Sequence, residues 1–501
     1  MRLKKRMLFR LVFFLAVVSV FSLSLLAQTF DEIKNRVKIH VLENGMRLIV
    51  LSRHEAPVVS FHVYADVGSA NESYGITGIS HLLEHMAFKG TTTVGTNDYE
   101  SEKKILKEMD ALYNEIKREK VKAAPDDEKL KEMKKKFEAL RVQAKGYVVN
   151  NDLIDMMRRE GDRGINAYTS SDATQYIDSL PSNKLEYWMA VTSDRFLNPV
   201  FREFYKERDV VMEERRLGVE TRPVGRLVED FLATAFKAHP YHHSVVGHMS
   251  DLRNITRKDV ENYFNRFYSP SNLTVGIVGD VQAEDVFKMA EIYFGRIPSG
   301  PKPETVRTEE PEQWGERRVI VEAKSQPMLL FGYHRPNFRH KDSAALEALA
   351  NIMGQGRSSR LYQVLVKEKK VAVATQSFNG FPGEKFSNLI AFFAVPAQGK
   401  TSAECLALIE EEIEKVKTES VTPEELTKFK RSAIKGFLSQ MKSNSSMAAL
   451  LTYADVVLGD WQLLFDQVQE VRAVTAEDIK RAASTYLIKK QRTIGEIVYA
   501  K

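Results

Sequence analysis

The chain has 501 residues, 43% hydrophobic and 28% charged, which is enough for two or more domains with sizeable cores and gives no bias towards disorder. Five basic side chains (Arg2, Lys4, Lys5, Arg6 and Arg10) in the first 27 residues supply most of the formal +6; without them the charge is about +1, which excludes the basic footprint of a nucleic-acid-binding protein. The single cysteine, Cys405, excludes an internal disulfide and any zinc site built from several thiolates; its helical context (AECLALIEEEI) reads as core.

Residues 1–27 run from a basic start (MRLKKRMLFR) through an apolar stretch to a cleavage point after Ala27, the pattern of a secretory signal peptide. Export would deliver the chain to the periplasm or outside the cell. Leu25, three before the cut, is not small, so an uncleaved anchor over 7–27 is the alternative and the one route to a membrane. No other stretch is long and apolar enough to span a bilayer. Next, VKIHVLENGMRLIVLSRHEAPVVSFHVYADVGSA alternates apolar residues around an ENG turn and reads as strands.

Residues 75–91 read GITGISHLLEHMAFKGT. At roughly 100° per residue from Ile79, Leu82, Leu83, Met86 and Ala87 fall between about 300° and 80°, one apolar stripe. His81, Glu84 and His85 fall between about 140° and 240°, on the opposite face. Thr77 is the candidate N-cap. Two histidines at i and i+4 both reach one ion, and a Glu just before the second can polarise a water held there. The order H-x-x-E-H is that of an inverted zincin. The wet side of an ordinary helix would carry the same residues, so a third ligand has to be sought.

Residues 101–146 carry two apolar stripes, Ile105, Met109, Leu112 and Ile116, then Leu130, Met133, Phe137 and Leu140, broken by AAPDD. The rest is mostly Lys and Glu. This is expected to be a helical hairpin standing off the domain as a solvated arm. GINAYTSSDATQYIDSLP (164–181) is strand-like again, and helical patterns fill 184–265. Within these, EFYKERDVVMEERRLGVE (203–220) places Glu207 and Glu214 seven apart on one face, with Val210 and Val211 between them. A partly buried face there would leave a carboxylate in need of a charge, which a metal at Glu214 would supply, with Glu207 behind it. Spacing alone leaves a charged surface helix equally open. His239, His242, His243 and His248 in AHPYHHSVVGH lack helical spacing and read as a loop, a weaker alternative.

SNLTVGIVGD (271–280) reads as a buried strand, and the Pro-, Gly- and charge-rich 297–318 as a linker. A repeat supports that cut: TRKDVENYFNRFYSPSNLTVGIVGD from Thr256 matches TAEDIKRAASTYLIKKQRTIGEIVY from Thr475 in its Thr–Asp start and in Thr274-Val275-Gly276 against Thr493-Ile494-Gly495. The expected fold is therefore α+β, two similar domains over 36–296 and 319–501, each an antiparallel sheet packed with helices. Only the first holds the His-rich helix.

GISHLLEHMAFKGT, INAYTSSDATQYIDSLP and the ERDVVMEE run, in that order and with two repeated domains, strongly resemble the pitrilysin/insulinase-type inverted-zincin peptidases, over about 36–501. The resemblance implies half of a clamshell chamber, one Zn2+ per chain on His81, His85 and Glu214, and Glu84 as general base. It implies Glu207 behind the ligands and Asn166 and Ala167 as edge-strand residues that pair with the backbone of a peptide substrate, with a turn role for Asn166 as the lesser alternative. The implied activity is a zinc endopeptidase acting on short or unfolded peptides. A non-catalytic assembly subunit or peptide-binding module is the rival, against which all four motif residues are present.

Two departures stand out. His85 and Glu214 are 129 residues apart (214 − 85), longer than in compact relatives, and the 101–146 hairpin accounts for most of the excess. The family's second domain usually carries an Arg and, seven residues later, a Tyr that hold substrate. In SSRLYQVLVKEKKVAVATQ (358–376) these positions are Lys367 and Ala374, with Arg360 and Tyr362 upstream read as packing residues. A partner chain would supply the missing pair, so a heterodimer with a homologous chain lacking zinc is expected over a homodimer.

Overall fold

The computed structural model describes residues 30–500, and the signal segment read at 1–27 lies outside them. The alternating stretches form β1 (Val37–Val41), β2 (Arg47–Ser52), β3 (Val58–Ala65), β4 (Asn166–Thr169), β5 (Thr174–Pro181) and β6 (Leu273–Gly279). They make one six-stranded sheet in the order β1-β2-β6-β3-β5-β4. A second sheet holds β7 (Arg317–Ala323), β8 (Met328–Arg335), β9 (Ala372–Phe381), β10 (Asn388–Pro396) and β11 (Arg492–Tyr499), in the order β7-β11-β8-β10-β9. Neither sheet is purely antiparallel: β2 runs parallel to β6 and β7 to β11. The long helical stretches before β6 and β11 give the chain the crossover that a parallel pair needs.

The helices that bear on the site and on the joining of the halves are α1 (Ile79–Met86), α2 (Tyr99–Lys120), α3 (Asp127–Lys145), α4 (Phe204–Arg215), α5 (Pro223–Ala235), α6 (Arg257–Phe267), α7 (Asn444–Tyr453) and α8 (Ala476–Tyr486). The repeat begins with the same local device twice. Thr256 and Asp259 form a capping box on α6, and Thr475 and Asp478 form one on α8. Each helix leads to an interior strand of its sheet that runs parallel to one neighbour and antiparallel to the other, β6 between β2 and β3 and β11 between β7 and β8.

The two halves exchange helices. α5, from the chain before the linker, lays Leu227, Phe231 and Ala235 on Val321, Leu330, Leu389, Ala391 and Ile497 of the second sheet. α7, from the far end of the chain, lays Met447, Ala448 and Leu451 on Ile49, Leu51 and Val278 of the first. The repeated glycines explain how the helices come so close. A Cβ on Gly276 would stand 2.8 Å from the Ala448 carbonyl, and one on Gly495 would stand 2.8 Å from Leu227 Cδ1. Each fully buried Leu or Phe in these contacts contributes about 1.5–3 kcal/mol, so the exchange is a large part of what joins the halves.

The hairpin α2–α3 does not stand off. Leu106, Met109, Leu112, Ile116, Leu130, Phe137 and Leu140 belong to the main core of the first half, together with Phe204 and Tyr205 of α4. Its stripe needed an apolar neighbour to leave water, and α4 provides it.

Candidate active site

α1 buries Ile79, Leu82, Leu83 and Met86 and keeps His81, Glu84 and His85 half-exposed. Its N-terminus is capped by Glu72, whose carboxylate accepts from the N–H groups of Gly78 (2.7 Å) and Ser80 (2.8 Å). Thr77 is not the cap: its hydroxyl donates to Asp251 Oδ2 at 2.7 Å. Two N–H donors at a helix start favour negative charge on this group, while burial outweighs them and raises the Glu72 carboxyl to about 8.

α4 crosses α1 and brings its two glutamates to different atoms. Glu214 Oε2 lies 3.7 Å from His81 Nε2 and 3.7 Å from His85 Nε2. Donor atoms of His81, His85 and Glu214 all lie within 4.8 Å of one another. Around a tetrahedral ion with bonds near 2 Å, ligand atoms stand about 3.3 Å apart, so the three groups fit a small divalent cation. Two imidazoles and a carboxylate form a donor set suited to zinc. The sequence argument from burial does not hold for Glu214, whose side chain is 45% exposed. The buried one is Glu207, at 11%.

Glu207 turns Oε2 to His85 Nδ1 at 3.6 Å and Oε1 to the Lys89 ammonium at 2.5 Å, and Lys89 reaches on to Glu203 at 3.4 Å. The fields follow. Burial raises the Glu207 carboxyl, but His85 and Lys89 outweigh it and hold it down at about 2. Burial lowers His85, but Glu207, Glu214 and Glu84 together lift it above the ordinary histidine value. Burial, with His85 beside it, pushes His81 down to about 4, a neutral imidazole with a lone pair to give. His81 Nδ1 is buried with no hydrogen-bond partner among the described residues.

Glu84 Oε2 accepts from the Thr169 hydroxyl at 2.5 Å. Burial raises the Glu84 carboxyl, opposed by Thr169 and His85. Thr169 ends β4, the outermost strand of the first sheet, on which Asn166 is exposed and Ala167 half-buried. Six of the predicted residues therefore gather on three elements, with Glu84, His81 and His85 on α1, Glu207 and Glu214 on α4, and Ala167 on β4 beside them; Asn166 faces out from the same edge. Lys367 and Ala374 are both exposed, and Ala374 lies on β9, the edge of the other sheet. The loop histidines are held elsewhere: His242 Nε2 meets Tyr74 OH at 2.7 Å, and His243 and His239 are buried.

Sequence reasoning missed Thr169, Lys89 and Glu72. Lys89 follows His85 by four, a helical spacing that could have marked it, and Thr169 shares the inward face of β4 with Ala167. Glu72 carries no periodic signal.

An α+β chain with two repeated halves and a His-His-Glu cluster beside a carboxylate and an open strand edge defines a metallopeptidase-like class. The sequence profile described as insulinase (peptidase family M16) matches residues 47–112 and 145–248, and that described as the peptidase M16 inactive domain matches 254–433. The chain belongs to this M16 family of peptidases. The first profile skips 113–144, most of the hairpin, and the second contains none of the three cluster residues. The zinc protease PqqE of Helicobacter pylori is 29% identical over 463 residues, covering 90% of each chain. The crystal structure of a protease from Helicobacter pylori superposes with a TM-score of 0.77 at 27% identity, over 92% of this chain and 99% of that one. The periplasmic protease PqqL of Escherichia coli shares the fold, with a TM-score of 0.67 at 17% identity, over 92% of this chain and 47% of the other.

Proposed function

We propose that the protein is a zinc-dependent endopeptidase that hydrolyses short or unfolded peptides. The observation that carries the reading is the convergence of His81, His85 and Glu214 within 4.8 Å, with Glu84 on the same helix and held by Thr169 from the substrate edge. His81, His85 and Glu214 would hold the ion, with Glu207 fixing the His85 ring from behind. Bound there, zinc would supply the Lewis acidity that makes water a nucleophile at neutral pH and polarises a peptide carbonyl.

The chain's own groups do the rest. Thr169 occupies one oxygen of Glu84 and leaves the other to take a proton from water and return it to the departing amine; a carboxyl raised by burial suits both directions. Among the described residues β4 pairs only with β5, so the edge at Asn166 and Ala167 can take an extended peptide as a further strand. Only a peptide free to extend can do so, which favours short or unfolded substrates.

The reading extends to a partner and a place. The exposed Lys367 and Ala374 leave the second half without the expected substrate-holding pair, which a homologous partner chain lacking zinc would provide, in preference to a second copy. Coverage of about half of the PqqL chain supports an assembly of two such units. The apolar start of the sequence supports export to the periplasm or beyond. Quenched-fluorescent peptides are expected to be cut, with activity lost to a chelator and restored by zinc, while a folded protein of the same composition stays intact. Bound zinc without cleavage by this chain alone would point to the missing partner chain, and peptide binding without cleavage even with that partner present would favour the non-catalytic reading.

A further inference from the structure

β4 is four residues long and, among the described residues, paired on one side only, so the sheet alone holds it weakly. Its far end is tied down by the other half of the molecule. Asp172, three residues past Thr169, is buried at the tip of the β4–β5 hairpin. Its Oδ1 accepts from the Tyr241 hydroxyl, and its Oδ2 accepts from the N–H groups of Glu384 (2.7 Å) and Lys385 (3.1 Å). Glu384 and Lys385 lie in the loop from β9 to β10, in the second sheet.

The loop is anchored on both sides of the contact. The Lys385 ammonium pairs with Asp66, just past β3, and the Glu384 carboxylate accepts from the Tyr453 hydroxyl at the end of α7. Contact with the hairpin is close: a Cβ on Gly383 would stand 2.7 Å from Asp172 Oδ2 and run into the Tyr241 hydroxyl. A buried carboxylate with three donors has one position, because moving it strands a charge and three N–H or O–H groups. Neither sheet needs this contact to close, since Asp172 lies outside every strand.

We propose that Asp172 is a positioning residue for the substrate edge: through it, the β9–β10 loop of the second half fixes the height of β4 against α1. That sets the Asn166–Ala167 edge and the Thr169–Glu84 hydrogen bond together. The second half thereby acts on the reaction without placing a group in the site. The kinetic part of the proposal rests on the peptidase reading above.

The test compares the full chain with Asp172→Asn and Gly383→Ala, the latter displacing the loop while keeping every charge. Amide hydrogen exchange, zinc content and kinetics on a quenched-fluorescent peptide are measured together. In both variants the β4 amides are expected to exchange on the order of tenfold faster, with β10 and α4 unchanged. Zinc should stay at the wild-type level, and KM should rise on the order of tenfold while kcat changes less. If Asp172→Asn fails to fold, Gly383→Ala carries the comparison. Unchanged β4 exchange and KM would overturn the proposal, and so would faster exchange spread evenly over both sheets, the mark of a merely structural contact. Selective loosening of β4 in the variants, beside a zinc-loaded wild type that cuts no peptide even with its partner chain, would sink the peptidase reading while upholding the role of Asp172.

Discussion

Glu207 sits between a ligand and a lysine, and its two oxygens do different things: one faces His85 Nδ1, the other holds Lys89. Replacing it by Gln keeps the shape but removes the charge that both neighbours answer. Zinc affinity in Glu207→Gln is expected to fall about 10–100-fold, read by competition with a chromophoric chelator. Protons compete with the metal at His85, which the surrounding carboxylates raise above the ordinary value, whereas burial keeps His81 near 4. Affinity is thus full above the His85 value and is lost as pH falls through it, before His81 titrates. Zinc retained after dialysis at stepped pH should show this loss starting above the ordinary histidine range. His81, Glu84 and His85 were legible because one helical period fixes their geometry. Lys89 and Thr169 carried only a spacing, four from His85 and two from Ala167, and their roles were not legible because their partners come from other elements.

The inserted hairpin shows the same limit at the scale of elements. Its two stripes were readable, residue by residue, but a stripe names a face and not the neighbour it meets. That neighbour is α4, the helix of Glu207 and Glu214. Phe137 packs its ring at 4.8 Å from Tyr205, and Arg208 of α4 donates to Tyr113 of α2 at 2.7 Å. Phe137→Ala should therefore cost about 3–5 kcal/mol, seen as a lowered thermal midpoint. An unshifted midpoint would restore the picture of a free-standing arm. The Glu214 helix was legible as a helix, but the burial expected of its ligand was not found: proximity to two imidazoles, not a buried charge, marks Glu214.

For the whole molecule, the repeat was legible because the Thr–Asp capping box and the following strand are local patterns. The exchange of α5 and α7 between the halves was not, since no period records which sheet a helix will cover. It leaves a trace only in Gly276 and Gly495, whose meaning needs the packed structure. Gly276→Ala, pressing a methyl on the Ala448 carbonyl, is expected to cost about 1–3 kcal/mol in denaturant titration. The account as a whole turns on one metal held by His81, His85 and Glu214 with Glu84 as the base. Zinc content and peptide cleavage measured side by side on the wild type, Glu84→Gln and His81→Ala test it most directly. The expected result is zinc with cleavage in the wild type, zinc without cleavage in Glu84→Gln, and neither in His81→Ala. Full cleavage by Glu84→Gln, or zinc held undiminished by His81→Ala, would contradict it.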